Sequence, residues 1–362
     1  MSKGVVLLCA GGTGGHLFPA EAVAHEMKRR GYSVHLAADH RVQQFADRFP
    51  ADEIHQIKSA TLSSKNPVAF VRTLVALYSG YRQSKQLIKV LDPVAVAGFG
   101  GYPTVPPLMA AARTGVPTLV HEANAVLGRA NRLLGKHVDR VAIGFGTTSK
   151  LGGITVQVTG NPVRPDIIDA SRTDYPQRGG DEPFNLLVFG GSQGAAFFSQ
   201  SLPEALKLLE PEIASKLRLV QQARPEDLQT VTKACAELGV IAEVQSFFSD
   251  MSKRLSVAHL VISRAGASTV SELAVVGRPS ILVPYPFALD HDQASNAETV
   301  SAEGGATIFK QSVLSPQILA EEITNAVREP KKLALAAKNA KKTGKPNATM
   351  VLADMLEELA SK

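Results

Sequence analysis

Tryptophan is absent from the 362 residues, and cysteine occurs only twice, as Cys9 inside an apolar run and Cys235 in a polar stretch. Two cysteines so placed offer neither a metal-ligand spacing nor a disulfide framework, which fits a reducing cytosol. Long apolar runs are missing as well. The stretch Val5–Ala10 is too brief for a signal segment, and no run approaches the roughly 20 residues of a membrane-spanning helix. Lys/Arg tracts typical of nucleic-acid modules are also lacking, although Lys and Arg outnumber Asp and Glu by 39 to 33. The surplus favours an anionic partner, either phosphate groups or a lipid surface. With 44% hydrophobic and 20% charged residues, 29 Gly and 21 Pro, the chain is neither disordered nor fibrous, and it is long enough for two domains.

Short apolar runs alternate with longer amphipathic stretches: "GVVLLCA" before "AEAVAHEMKRRG", then "SVHLAA", "DPVAVAGFG", "PTLVHEA", "RVAIGFG" and "ITVQVTG". This alternation predicts an α/β fold of parallel strands and crossover helices. The aperiodic segment "GNPVRPDIIDASRTDYPQRGGDEP" reads as an interdomain linker. The pattern then restarts with "FNLLVFGGSQG", "LRLVQQA", "AEVQSFF", "AHLVISRAG", "PSILVPYP" and "GATIFK", so two doubly wound halves are expected.

Each half places paired glycines after its first strand, as "AGGTGGH" and "FGGSQGA". Glycines there admit positive φ and let backbone N–H groups approach a ligand, while the next helix presents unpaired N–H groups and a partial positive charge. Such a turn cradles an anion. Neither copy follows GxGxxG, "SVHLAADH" supplies only a loose candidate for a ribose-binding acid, and no P-loop Lys-Ser/Thr pair is present. Only the first copy ends in a histidine. His16 at the start of a helix beside the cradle suits a general base, the plainer alternative being a cap or core histidine.

In the second half, "SRAGASTVSELAVVGRP" holds Arg264, whose donors match phosphate oxygens or a surface ion pair. Thr269 and Glu272 have the spacing of a capping box, or Glu272 grips a ribose diol; spacing leaves both open. Asp290-His291-Asp292 looks like a D-x-D metal motif, but it follows a Pro-rich loop and no further ligand cluster accompanies it. Gln293 and Asn296 are candidate hydroxyl-recognising amides or ordinary helix-start residues.

From Ile54 to Leu91 no Asp or Glu occurs, while Lys58, Lys65, Arg72, Arg82, Lys85 and Lys89 interleave with Phe70, Val71, Leu74, Val75, Leu77, Tyr78 and Tyr81. An apolar face with basic flanks suits an anionic membrane surface; the alternative is a crossover helix whose apolar stripe is core.

The segments "GGTGGHLFPA", "GFGGYPTVPP", "HEANAVLGRAN", "TGNPVR", "FGGSQGA", "SRAGASTVSELA" and "DQASNA", in this order from residue 4 to about 300, resemble those of the MurG-type glycosyltransferases of family 28. The resemblance implies the GT-B architecture, two Rossmann-like doubly wound parallel-sheet domains facing a deep cleft. Residues 1–163, joined by a C-terminal helix at 341–362, would serve the acceptor and the membrane, and residues 164–340 the UDP-sugar. The implied reaction is inverting transfer of N-acetylglucosamine from UDP-N-acetylglucosamine to the 4-hydroxyl of MurNAc in undecaprenyl-pyrophosphoryl-MurNAc-pentapeptide, with neither metal nor cofactor. It implies peptidoglycan synthesis, cell wall biogenesis, cell shape, division and cell-cycle roles, and a peripheral location on the cytoplasmic face of the inner membrane.

Carried onto this chain, the resemblance makes His16 and Glu122 catalytic and gives the acceptor diphosphate to Gly11, Gly12, Gly14, Gly15, Gly100 and Gly101. The donor falls to Thr13, Gly14, Gly15, Asn124, Arg164, Ser192, Gln193, Phe248, Arg264, Ala267, Thr269, Glu272 and Gln293. Phe248 reads the uracil edge through its backbone, so its side chain is expected to tolerate change. The resemblance places Glu272 at the ribose diol, and Asp292 departs from the Gln or His common there. Alternatives are a related lipid glycosyltransferase, a UDP-N-acetylglucosamine 2-epimerase, a nicotinamide dehydrogenase or a non-catalytic basic protein docking on membranes.

Overall fold

The computed structural model describes residues 2–12, 14–45, 49–60, 67–179, 181–191 and 194–361. The chain forms two compact units, one of Met1–Arg164 with Lys345–Lys362 and one of Pro165–Gly344.

In the first unit the described strands are β1 (Val5–Ala10), β2 (Ser33–Ala38), β3 (Glu53–Gln56), β4 (Ala95–Gly98), β5 (Thr118–Glu122), β6 (Arg140–Ile143) and β7 (Gln157–Val158). They form one sheet in the order β3-β2-β1-β4-β5-β6-β7, and every pairing is parallel. The sequence pattern missed β3, whose "EIHQ" is short and polar enough to survive only at a sheet edge. In the second unit β8 (Phe184–Phe189), β9 (Leu217–Gln222), β10 (Ile241–Gln245), β11 (Leu260–Ser263), β12 (Ser280–Leu282) and β13 (Ala306–Ile308) pair in parallel in the order β10-β9-β8-β11-β12-β13. Both orders are those of a doubly wound sheet, which opens a crevice at the carboxyl ends of its central strands where the winding reverses. The expected linker contains a short helix, Pro165–Ala170, opened by a proline whose missing N–H costs nothing at that position.

Parallel strands covered on both faces need continuous apolar sequence, and β1 meets this with Val6, Leu7, Leu8, Cys9 and Ala10 all buried. One face packs on helix Gly14–Arg29 and on the C-terminal helix Ala348–Ala360, which brings Leu352, Ala353, Met355, Leu356 and Leu359 into the core. Arg30 ties that helix down through Asp354 at 2.7 Å and through Glu357. The other face packs on helix Val105–Thr114 and on the C-terminal half of helix Pro67–Leu91.

Candidate active site

Two crevices follow from this topology, one in each unit. In the first, β1 runs into Gly11-Gly12 and β4 into Phe99-Gly100-Gly101, and the Gly11 N–H donates to the Gly100 carbonyl across 3.1 Å. His16, in the first turn of helix Gly14–Arg29, fills the space. A Cβ on Gly11 would lie 2.9 Å from His16 Nδ1, and one on Gly100 would lie 3.0 Å from His16 Cδ2. Gly100 also holds φ near +94°, so it is glycine for both reasons. The imidazole seat is therefore made from main chain. Desolvation pushes the His16 pKa down to about 4, Arg41 adds to the depression, and Asp39 opposes it.

Asp39 directly follows β2, where a dinucleotide fold keeps its ribose-binding acid, but here Arg41 holds the carboxylate, Nε donating at 3.0 and 3.1 Å. The pair presses on Gly12, where a Cβ would lie 2.5 Å from Asp39 Oδ1. Among the expected glycines, Gly14 is buried and Gly15 is exposed. Thr13 lies outside the described residues.

At the end of β5, Glu122 is buried and accepts from Asn124 N at 2.9 Å, Asn124 Nδ2 at 3.2 Å, Gly128 N at 2.8 Å and Asn131 Nδ2 at 2.8 Å. Burial raises its pKa, against these donors. The carboxylate thus organises the whole "HEANAVLGRAN" loop. Asn131, passed over in the sequence because nothing in its spacing marks it, also donates to the His121 carbonyl at 3.3 Å and borders the His16 seat at Gly100. Arg164 closes the first unit with its guanidinium 5.0 Å from the Phe18 ring centroid.

The second crevice lies at the ends of β8 and β11. At Gly190 a Cβ would meet the Ala195 nitrogen at 2.3 Å, so the turn closes only with glycine, and Gly190 N–H donates to Gln222 Oε1 at 3.1 Å. Ser192 and Gln193 lie outside the described residues. Arg264 is buried; it donates to the Val283 carbonyl at 3.1 Å and to Gln311 Oε1 at 2.6 Å, with Phe197, Phe198 and Tyr285 around it. Among the described residues no carboxylate pairs with it, and burial lowers its pKa. A buried cation without a counter-ion is a costly arrangement that an arriving anion relieves.

The helix after β11 begins at Ala267, with Gly266 at its N-cap and no side-chain cap. Thr269 therefore stands third in the helix and cannot cap it, which removes the capping-box reading of Glu272. Glu272 is buried inside that helix. Gln293 Oε1 accepts from Tyr285 N at 2.9 Å and Ala265 N at 3.2 Å, and Asn296 Nδ2 donates to the Ala265 carbonyl at 3.2 Å, so both amides moor helix Asp292–Ser301 to the turn. Burial raises the Asp292 pKa. Phe248 corrects the expectation of a tolerant side chain: it is buried, 5% exposed, and Arg254 stacks on it at 4.2 Å.

The sequence matches the family models Glycosyltransferase family 28 N-terminal domain over residues 6–143 and Glycosyltransferase family 28 C-terminal domain over residues 185–352. It is 53% identical to the "UDP-N-acetylglucosamine--N-acetylmuramyl-(pentapeptide) pyrophosphoryl-undecaprenol N-acetylglucosamine transferase" of Rhizobium rhizogenes, covering 100% of this chain and 97% of that one. It is 55% identical, with the same coverage, to the protein of that name in Rhizobium leguminosarum bv. trifolii. The chain belongs to glycosyltransferase family 28. As a family 28 member it is a glycosyltransferase with the two-domain GT-B fold. The crystal structure of Acinetobacter baumannii MurG superimposes with a TM-score of 0.80 at 30% identity, covering 98% of this chain and 99% of that one. A UDP-GlcNAc 2-epimerase from Neisseria meningitidis superimposes at 0.68 with 16% identity, a likeness of fold alone.

Proposed function

We propose that this family 28 enzyme transfers N-acetylglucosamine from UDP-N-acetylglucosamine to the 4-hydroxyl of MurNAc in undecaprenyl-pyrophosphoryl-MurNAc-pentapeptide, converting lipid I to lipid II in peptidoglycan synthesis. The names of its relatives in the two Rhizobium species support the substrates. One structural observation carries the division of labour: both units build a glycine-walled crevice at a switch point, and among the described residues a histidine packs against the glycines of the first alone.

In this reading the first unit takes the lipid diphosphate on the main-chain amides around Gly11, Gly12, Gly14, Gly15, Gly100 and Gly101. His16 accepts the proton of the attacking hydroxyl. With its pKa near 4 the imidazole is neutral at physiological pH and keeps a lone pair available, and the arriving diphosphate raises its basicity by charge proximity. Glu122 acts by holding Asn124 toward the donor sugar rather than by moving a proton, because its oxygens are engaged by loop donors. The second unit takes the leaving UDP on the amides of the Gly190 turn, the uncapped N-terminus at Ala267 and the unpaired charge of Arg264. Thr13, Gly14, Gly15, Arg164, Ser192, Gln193, Phe248, Thr269, Glu272 and Gln293 complete the donor site, Gln293 offering its NH2 to the sugar while its oxygen is anchored. The anomeric carbon is inverted in one displacement.

The apolar stripe Val71, Leu74, Val75 and Tyr78 on helix Pro67–Leu91 supports a membrane role. These four side chains recur at helical spacing and are 46 to 64% exposed, so this half of the helix is not core. Arg72, Arg82, Lys85 and Lys89 belong to the same helix; Lys65 and the side chain of Phe70 lie outside what is described. Among the described residues no helix is long and apolar enough to cross a membrane. The stripe would therefore lie in the interface of an anionic bilayer, at the cytoplasmic face where the lipid acceptor is presented, and the cell-shape and division roles follow from that supply. The deciding experiment is turnover by His16→Gln. A fall in kcat of roughly 10² to 10⁴ with donor affinity kept supports the base, and near-normal turnover removes it.

A further inference from the structure

We propose a divalent transition-metal site of His35, His55 and Glu53 on the β2–β3 edge of the first unit, with the imidazole and carboxylate ligands that suit Zn2+, Ni2+ or Cu2+. His35 lies on β2, and Glu53 and His55 on β3, the outer strand of the sheet. The register pairs His35 with Glu53 and Ala37 with His55. Alternation of side chains then sets all three on one face. Nδ1 of His35 and Nε2 of His55 are 2.9 Å apart, their ring planes 5° from parallel with centroids 5.2 Å apart. The two nitrogens point at one another edge to edge, which among neutral rings requires a single shared proton. A metal ion can replace that proton once the two rings turn so that their lone pairs converge on it rather than on each other.

Metal–imidazole bonds are about 2.0–2.1 Å long, so two nitrogens sharing one ion in a cis or tetrahedral arrangement stand roughly 3 Å apart, close to the 2.9 Å found here. Glu53 supplies the third ligand: its Oε1 lies 3.7 Å from the other ring nitrogen of His55, Nδ1, the ligand atoms of all three residues fall within 4.8 Å of one another, and its side chain is 65% exposed and able to swing toward the His35–His55 pair. Among the described residues this is the one such grouping of histidine, cysteine and carboxylate ligands. Bound metal would cross-link the edge strand to its neighbour. None of the three residues belongs to the site proposed for sugar transfer.

The test is calorimetric titration of the untagged full-length protein with Ni2+, beside Zn2+. One Ni2+ or Zn2+ per chain, with binding weakened at least tenfold in His35→Gln and His55→Gln and transferase activity unchanged, supports the site. Equal affinity in the wild type and both variants overturns it, as does no binding of either ion at millimolar concentration. Electron paramagnetic resonance of the wild-type protein with one equivalent of Cu2+ decides the matter even where the variants do not fold. Hyperfine structure from two imidazole nitrogens supports the site, and one nitrogen or none overturns it.

Discussion

At the scale of single residues, burial and hydrogen bonding separate side chains that the sequence treated alike. Glu122 and Glu272 are both buried carboxylates, yet Glu122 holds its own loop through Asn124, Gly128 and Asn131, while the position of Glu272 within its helix takes away the capping role. For Glu272→Ala we expect UDP to bind more weakly by about 1–3 kcal/mol, the penalty of leaving the ribose hydroxyls unpaired; titration calorimetry with UDP that shows unchanged affinity would refute the ribose assignment. Phe248 gives the opposite split. Its side chain is packed under Arg254, so Phe248→Ala should cost about 3 kcal/mol of stability by urea unfolding. If only its backbone meets the uracil, folded variant protein should retain UDP affinity within about twofold, a limit well inside 1 kcal/mol.

At the scale of elements, helix Pro67–Leu91 has two jobs divided along its length. Towards its end Ile88 is buried in the core beneath the sheet, and Gly80 lets the Lys58 carbonyl approach to a distance no Cβ would permit. Towards its start the apolar residues face outward, and a solvated Val75 or Tyr78 contributes little to folding. Val75→Asp with Tyr78→Asp should therefore leave the unfolding midpoint within about 0.5 kcal/mol of wild type. The same pair should cut binding to vesicles containing anionic lipid at least tenfold in a sedimentation assay; unchanged sedimentation would return the stripe to an ordinary solvated face. The glycine turns teach a related point. Each is required by what packs against it, the His16 ring in one unit and the chain's own Ala195 nitrogen in the other.

At the scale of the whole molecule, buried histidines set the response to acid. His121 is fully buried, donates its Nε2–H to the Gly160 carbonyl 3.2 Å away, and has its pKa lowered by burial from 6.5 to about 4. Between those values the unfolded chain binds a proton that the folded chain refuses, so the stability contribution is complete above pH 6.5 and is lost as the pH falls toward 4. At about 1.4 kcal/mol per pH unit the loss is at most of the order of 3 kcal/mol. Urea midpoints measured at pH 7 and 4.5 should diverge less in His121→Gln than in wild type; equal divergence would assign the acid sensitivity to other groups. What the amino-acid order determined alone was the repeated strand–turn–helix pattern: twelve of the strands named above were marked by their apolar runs, and both glycine turns by composition, because period and residue type are local properties. Tertiary structure decided the rest. The Asp39–Arg41 clamp on Gly12, the Asn131 bridge, the burial of Phe248 and the meeting of His35 with His55 all join residues whose proximity depends on strand order and register, which no local pattern encodes.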